Sequence, residues 1–356
     1  MVANVPPFVL EKIDLKNDQI QTLNYCAHAI EDLRELEAIL RSTAPESAEV
    51  FRRLIDMLQH SVKFILPNCC NLIDPDELRQ AHLDLTRLPF PCVAFEASWE
   101  TEDDIEQLGE FQQTPATKRI ALCWDANSEY EPLPGLNSVL SAFPEGGVFV
   151  VPIYWTPEHR RWTVALGGSF VPYENTLRKV KLDEALPASL IAHAATIEAG
   201  LTKPNAKQFR SEPFYLLPEF YEKTLAVYEG NREKVYAQII LDSRDEVQTV
   251  VQACSVINCA NVTTAELHAS PALNKKRQEN GKQPFFSYKV LQLSDERREA
   301  GKGGAGGSHG SPRMHLRRGH LRRREGKVIW VRPTMVNAGS NAGVVMKDYA
   351  VQQPKG

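Results

Sequence analysis

Between Arg313 and Lys327 the chain places six arginines, one lysine and two histidines against a single acid, Glu325. Arg317, Arg318, Arg322, Arg323 and Arg324 are its densest part. Planar guanidinium groups suit bidentate contacts to phosphate. These five stand too close in sequence to share one face of a helix or strand. Phe285, Phe286 and Tyr288 precede the segment and Trp330 follows it. Cations interleaved with aromatics fit a single-stranded nucleic acid, whose bases stack while its phosphates pair. Trp330 sits in an apolar VIWV run and is expected in the core rather than against a base. Lys275, Lys276 and Arg277 form a second basic run that would support the same surface. The competing expectation is a solvated basic hairpin, or a basic surface that docks on the acidic rest of the chain.

His315 and His320 raise a second chemistry. One as base and the other as acid, with arginine on the phosphate, would cleave RNA without a metal. An offset of five puts them on opposite faces of a strand and apart on a helix. Only a turn at Gly319 brings them together. The surrounding cations oppose a metal there. Cys69-Cys70 and Cys254-x4-Cys259 lack the close paired spacing of a zinc site. No metal and no cofactor is expected, and a binding role is expected ahead of an enzymatic one.

Charge is unevenly spread. The net charge is −4, but residues 271–327 carry +10, residues 1–270 carry −16, and the remainder +2. A two-pole chain of this kind is expected to meet an anion with its basic end. The hydrophobic and charged fractions, 43% and 24%, are those of an ordinary globular protein. No run approaches a membrane span, and the first residues lack the pattern of a signal peptide. Seven cysteines, an odd number, point to reduced thiols. A cytoplasmic protein with no membrane partner is expected.

The elements that must position these residues can be read from periodicity. Two amphipathic helices are expected over 17–42 and from Pro45 through Val62 and Ile65, and a third is signalled by Asp74 and Pro75. PFPCVAFEAS, KRIALCWD, GGVFVVPIYW and RRWTVALGG read as strands, the last two as a hairpin. Helices are expected over 187–200 and 218–230. Ser243 and Glu246 read as a capping box that starts another, ending near Asn258. VTTAEL reads as the start of something extended or turn-like, a strand is expected at YKVLQLS, and KVIWVRPTMV and GVVMKDYAV are two more strand candidates beyond a glycine-rich stretch at 301–310. The fold class is α+β: an N-terminal helical layer on a mostly antiparallel sheet, with a basic C-terminal β-hairpin region. The expected divisions are a helical region over 1–88, a mixed core over 89–260 and the basic region over 271–356, in one interlocked body or more.

HLRRGHLRRREGKVIWVRP, followed by VVMKDYAV, resembles the C-terminal module of a group of uncharacterised phage and bacterial mobile-element proteins. That module runs His-x-x-Arg-Gly-His-x-Arg, a short glycine-containing turn, and an Ile/Val-Trp-Val strand. LNKKRQENGKQPFFSYKVL and RLPFPCVAFEAS resemble segments upstream in the same group. The resemblance implies a phage or prophage setting, hence a host cytoplasm, and brings no reaction or catalytic residue. Three functions are expected from these readings. The first is nucleic-acid association through Arg317, Arg318, Arg322, Arg323 and Arg324, supported by Lys275, Lys276 and Arg277. The second is binding and inhibition of a host protein, such as a defence enzyme. The third is a metal-independent nuclease using His315 and His320.

Overall fold

The computed structural model describes residues 22–73, 78–100, 107–179, 187–293, 315–317, 320–324, 326–331 and 334–336. Helix α1 (Tyr25–Leu40) buries Cys26, Ala29, Ile30 and Leu33, spaced three or four apart. Helix α2 (Pro45–His60) begins with proline at its first position and Glu46 in its first turn, where the dipole favours an acid. The helix ends sooner than its spacing predicts. Ser61 is extended, and Val62–Ile65 forms strand β1. Both edges of β1 are paired in parallel, and that pairing overrides local periodicity. The start signal at Asp74–Glu77 lies outside the described residues. Helix α3 (Gln80–Asp84) buries Leu83 and His82, whose Nδ1 accepts the Arg79 backbone N–H at 2.8 Å.

The next strands are β2 (Cys92–Ser98), the short pair β3 (Gln107–Leu108) and β4 (Phe111–Gln112), β5 (Lys118–Ala126), β6 (Gly147–Thr156), β7 (Arg161–Val164), β8 (Gly167–Pro172) and β9 (Arg178–Lys179). Then come α4 (Pro187–Glu198), β10 (Lys207–Gln208), β11 (Glu212–Tyr215), α5 (Pro218–Val227), α6 (Arg232–Ile257), β12 (Val262–Leu267), α7 (Pro271–Glu279) and β13 (Tyr288–Leu293). Near the C-terminus lie β14 (His315–Arg317), β15 (His320–Arg324), β16 (Lys327–Val331) and β17 (Thr334–Val336). The main sheet runs β11-β8-β6-β5-β2-β1-β13-β12, with β7 also on β6. Only β1 pairs in parallel, with β2 and β13; every other pair in this sheet is antiparallel.

Alternation along the strands supplies two cores. Ala94, Ile120, Leu122 and Trp124 meet α1 and α2 on one face. Val93, Phe95, Cys123 and Val150 meet Val247, Val250 and Cys254 of α6 on the other. The molecule is therefore α+β, with its N-terminal helices layered on a mostly antiparallel sheet. No described helix is long and apolar enough to cross a membrane. The seven cysteines are all unbridged, and five are buried.

Helix α6 departs from the sequence reading. It starts eleven residues before Ser243, at Arg232, where the Asn231 side chain accepts the Lys234 N–H at 3.2 Å. Ser243 is buried in mid-helix. Its hydroxyl donates to the Ile239 carbonyl at 2.8 Å and lies 2.8 Å from Ser169 Oγ on β8. Glu246 pairs with Arg119 on β5 instead of capping. The serine–glutamate spacing thus serves two neighbouring strands.

One buried carboxylate joins the layers. Glu96 of β2 is fully buried and accepts the N–H groups of Tyr25 at 3.0 Å and Cys26 at 2.7 Å. The Tyr288 hydroxyl of β13 donates to the same group at 2.7 Å. The start of α1 is therefore capped from the sheet, since Asn24 makes no capping bond. Burial pushes the Glu96 pKa up, while these donors favour the carboxylate and oppose the rise. Glu96→Ala leaves three buried donors without an acceptor and is expected to cost about 3 kcal/mol or more. Urea unfolding measures this, and Glu96→Gln, which keeps an acceptor oxygen, is expected to lose less.

A candidate anion-binding cavity and the basic hairpin

Beside α6, on the side away from α1 and α2, a cavity of about 510 Å³ opens between α4, β8 and the small β9–β10 ladder. Five cations line it: Arg178 of β9, Lys203, Lys207 of β10, Arg210 and Arg244 of α6. Among the described residues no carboxylate lines it. Arg178, Lys203, Lys207 and Arg210 are exposed at its mouth. Its floor is buried and mainly apolar, with Ala192, Leu241 and Val247 beside Ser169.

The local sequence explains this geometry. Helix α4 stops at Gly200, whose φ of +74° suits glycine, and the chain returns along the mouth of the cavity. The returning stretch, AGLTKPNAKQFRS (199–211), carries three cations and no acid. That imbalance is the signal sequence reading missed, because single lysines between helices look like ordinary solvated charge. The Asn175 side chain fixes the stretch, accepting the Arg210 N–H at 2.9 Å and donating to its carbonyl at 2.7 Å. Glu212 outside the lining holds the Arg210 guanidinium, which lies 4.8 Å from the Phe143 ring. Halfway down, the Gln208 amide nitrogen donates to His193 Nδ1. Burial lowers the His193 pKa, so the ring is neutral near pH 7 with its proton on Nε2.

The adjoining faces of α6 carry a second charged group. Arg119 reaches Glu246 at 2.9 Å and Asp245 at 3.2 Å, with its guanidinium 4.9 Å from the Trp99 ring. Asp245 also meets Arg244 at 3.3 Å, which links this buried group to the cavity wall. Arg119 Nε and Glu246 Oε2 have no hydrogen-bond partner among the described residues. One turn earlier, Asp242 accepts from Gln238 at 2.7 Å.

The basic C-terminal residues fall into two ladders. His320–Arg324 pairs with Lys327–Val331 as β15–β16, turning at Gly326 with φ +78°. Arg322, Arg323 and Arg324 stand opposite Ile329, Val328 and Lys327. Leu321 and Val328 pack against the α6 core, and the Val328 carbonyl accepts the Ala260 N–H at 2.9 Å. The hairpin is thus seated at the C-terminal end of α6. His315 and Arg317 belong to the other ladder, β14–β17, with His315 opposite Val336. The two histidines therefore occupy separate strand pairs. Arg318, the glycine-rich stretch at 301–310 and VVMKDYAV lie outside the described residues.

Lys275 and Lys276 are exposed on α7. Arg277, by contrast, is tied inward. It meets Glu31 of α1 at 2.7 Å, donates to the Gln283 carbonyl at 2.7 Å, and stacks 3.9 Å from the Phe285 ring. It braces α7 on α1 instead of extending a basic surface. The six residues of β12 separate α7 from the hairpin, about 20 Å at strand rise. The two basic runs are not brought together.

Burial raises the Asp242 pKa to about 7. The folded protein therefore keeps a proton there that the unfolded chain has lost. That contribution to stability is complete below about pH 4, falls as pH rises to about 7, and is level above. Asp242→Asn is expected to flatten this part of the profile, read as melting temperature from pH 4 to pH 8. Comparison with protein-family models, curated proteins and solved structures finds no match for this chain.

Proposed function

We propose that this protein binds nucleic acid through its phosphates, along the side of the sheet that carries α6. The observation that carries the reading is the cavity lined by five cations and, among the described residues, no carboxylate. Arg210 and Arg244 also meet Glu212 and Asp245, so the lining is cationic and partly paired, and a lining of this sign favours an anion over a cation. The hairpin supports the reading from the same side, since Leu321 and Val328 join the core that α6 packs against. Arg244 on the cavity wall and Ile257 at the helix end are thirteen residues apart in α6, about 20 Å at helical rise. One phosphate cannot touch both regions, whereas a strand with several phosphates can. Arg322, Arg323 and Arg324 of the hairpin, with Arg317 and Arg318 close by in sequence, supply contacts to the phosphate backbone. Arg178, Lys203, Lys207 and Arg210 supply them at the cavity end. The mobile-element setting implied by the C-terminal resemblance accords with this role.

Filter binding to single-stranded and duplex DNA and RNA tests the proposal. Retention of single strands is expected at low salt, weakening by roughly 10²-fold or more between about 50 and 200 mM. Replacing Arg322, Arg323 and Arg324 with alanine is expected to weaken it, and so is replacing Arg178 and Lys207. No retention of wild type at low salt would overturn the proposal. Cleaved products lost in His320→Ala would move the assignment to a nuclease.

A further inference from the structure

We infer that Phe90 stacks one unpaired base of the bound strand, beside the foot of the basic hairpin. The inference rests on the nucleic-acid reading and names a residue that separates single strands from duplex. Phe90 is 37% exposed and stands between Pro89 and Pro91. Each proline fixes its own φ, and Pro91 also keeps Phe90 out of the helical region. The segment is pinned on both sides of the ring. The Asn258 side chain donates to the carbonyls of Leu85 at 2.9 Å and Arg87 at 2.8 Å. The Asp125 N–H donates to the Pro91 carbonyl at 2.9 Å. A large apolar ring is thus held at the surface by a backbone with little freedom to bury it.

The ring sits near the point where the hairpin joins the body. Asn258, which pins Arg87, comes two residues before Ala260, whose N–H donates to the Val328 carbonyl of β16. Phe90 follows Arg87 by three residues, about 11 Å at most. It packs against Phe64 of β1, with ring centroids 6.3 Å apart. Phe64 is fully buried in the core that Leu321 and Val328 also join, so Phe90 lies on the α6 side of the sheet. The Lys289 ammonium, itself held by Glu266 at 2.6 Å, lies 5.7 Å from the Phe90 ring. Tyr215, the other exposed aromatic ring among the described residues, is placed differently. It belongs to β11 at the far edge of the sheet and packs on Tyr221, with centroids 4.5 Å apart. An aromatic face accepts any base, and stacking contributes roughly fivefold to 150-fold in affinity per base. A base paired inside a duplex has no free face to offer, whereas the phosphates of both forms can meet the hairpin arginines.

Binding of the full chain to a single strand, to its duplex and to an abasic strand of the same length is the test, at about 50 mM salt. Phe90→Leu keeps an apolar side chain on Phe64 and removes the ring. It is expected to weaken single-strand binding at least about fivefold, and to leave binding to the abasic strand unchanged. The preference for single strand over duplex is expected to narrow by the same factor. Phe90→Tyr, which keeps a ring, is expected to bind all three like wild type. Single-strand binding by Phe90→Leu at wild-type affinity would overturn the inference, as would an equal loss on the abasic strand or a loss that Phe90→Tyr shares. Each of those outcomes leaves the nucleic-acid reading standing, because wild type still retains the strand. No retention of wild type on any strand would overturn that reading and this inference with it.

Discussion

The Glu96 carboxylate is the constraint on which the layering of this protein depends. A helix that starts against a sheet leaves its first N–H groups pointing into a dry interior. Glu96 meets two of them and takes the Tyr288 hydroxyl as well, so one side chain holds α1, β2 and β13 together. Lys63, a buried cation on the neighbouring strand β1, is committed elsewhere. Its ammonium donates to the carbonyls of Gln59 and Ser61 and lies 3.9 Å from the Phe286 ring. The carboxylate is therefore held by dipoles rather than by a salt bridge. Dipoles fixed in direction specify where α1 must begin, which a long flexible cation would do less well.

On the opposite side of the sheet α6 packs the second core and borders the cavity. Its apolar stripe covers Phe64, Phe95 and Cys123, its acidic stripe neutralises Arg119, and its remaining flank closes the cavity. Asp245 and Glu246 of α6 meet Arg119 on β5, and Arg244, which Asp245 also meets, lies beside the lysines and arginines of the cavity mouth.

Much of the fold was legible in the sequence, and the exceptions share a cause. Helices α1, α2, α4 and α5 and strands β2, β5, β6 and β7 follow local periodicity and turn residues. Strand β1 does not, because its apolar spacing continues that of α2 and it is pairing with β2 and with β13, the latter more than two hundred residues later, that makes it a strand. Ser243 and Glu246 imitate a helix start because β8 and β5 use the same side chains for tertiary bonds. Glu96 was visible as an acid on a strand, but its role requires α1 some seventy residues earlier. The basic hairpin was legible because its charges are consecutive. The cavity was not, because Arg178, the pair Lys203 and Lys207, and Arg244 come from three separate segments.

The placement of β1 between β2 and β13 also sets an order of events during synthesis. Residues 62–65 leave the ribosome early, yet one of their edges stays uncovered until residues 288–290 follow. At about 5–20 residues per second that wait is roughly 10–45 s. Until then the edge of β1 that β13 covers has no partner, and Glu96 lacks its tyrosine. A chain so built completes its central sheet late, and its early half is the part most exposed to mispairing with other chains.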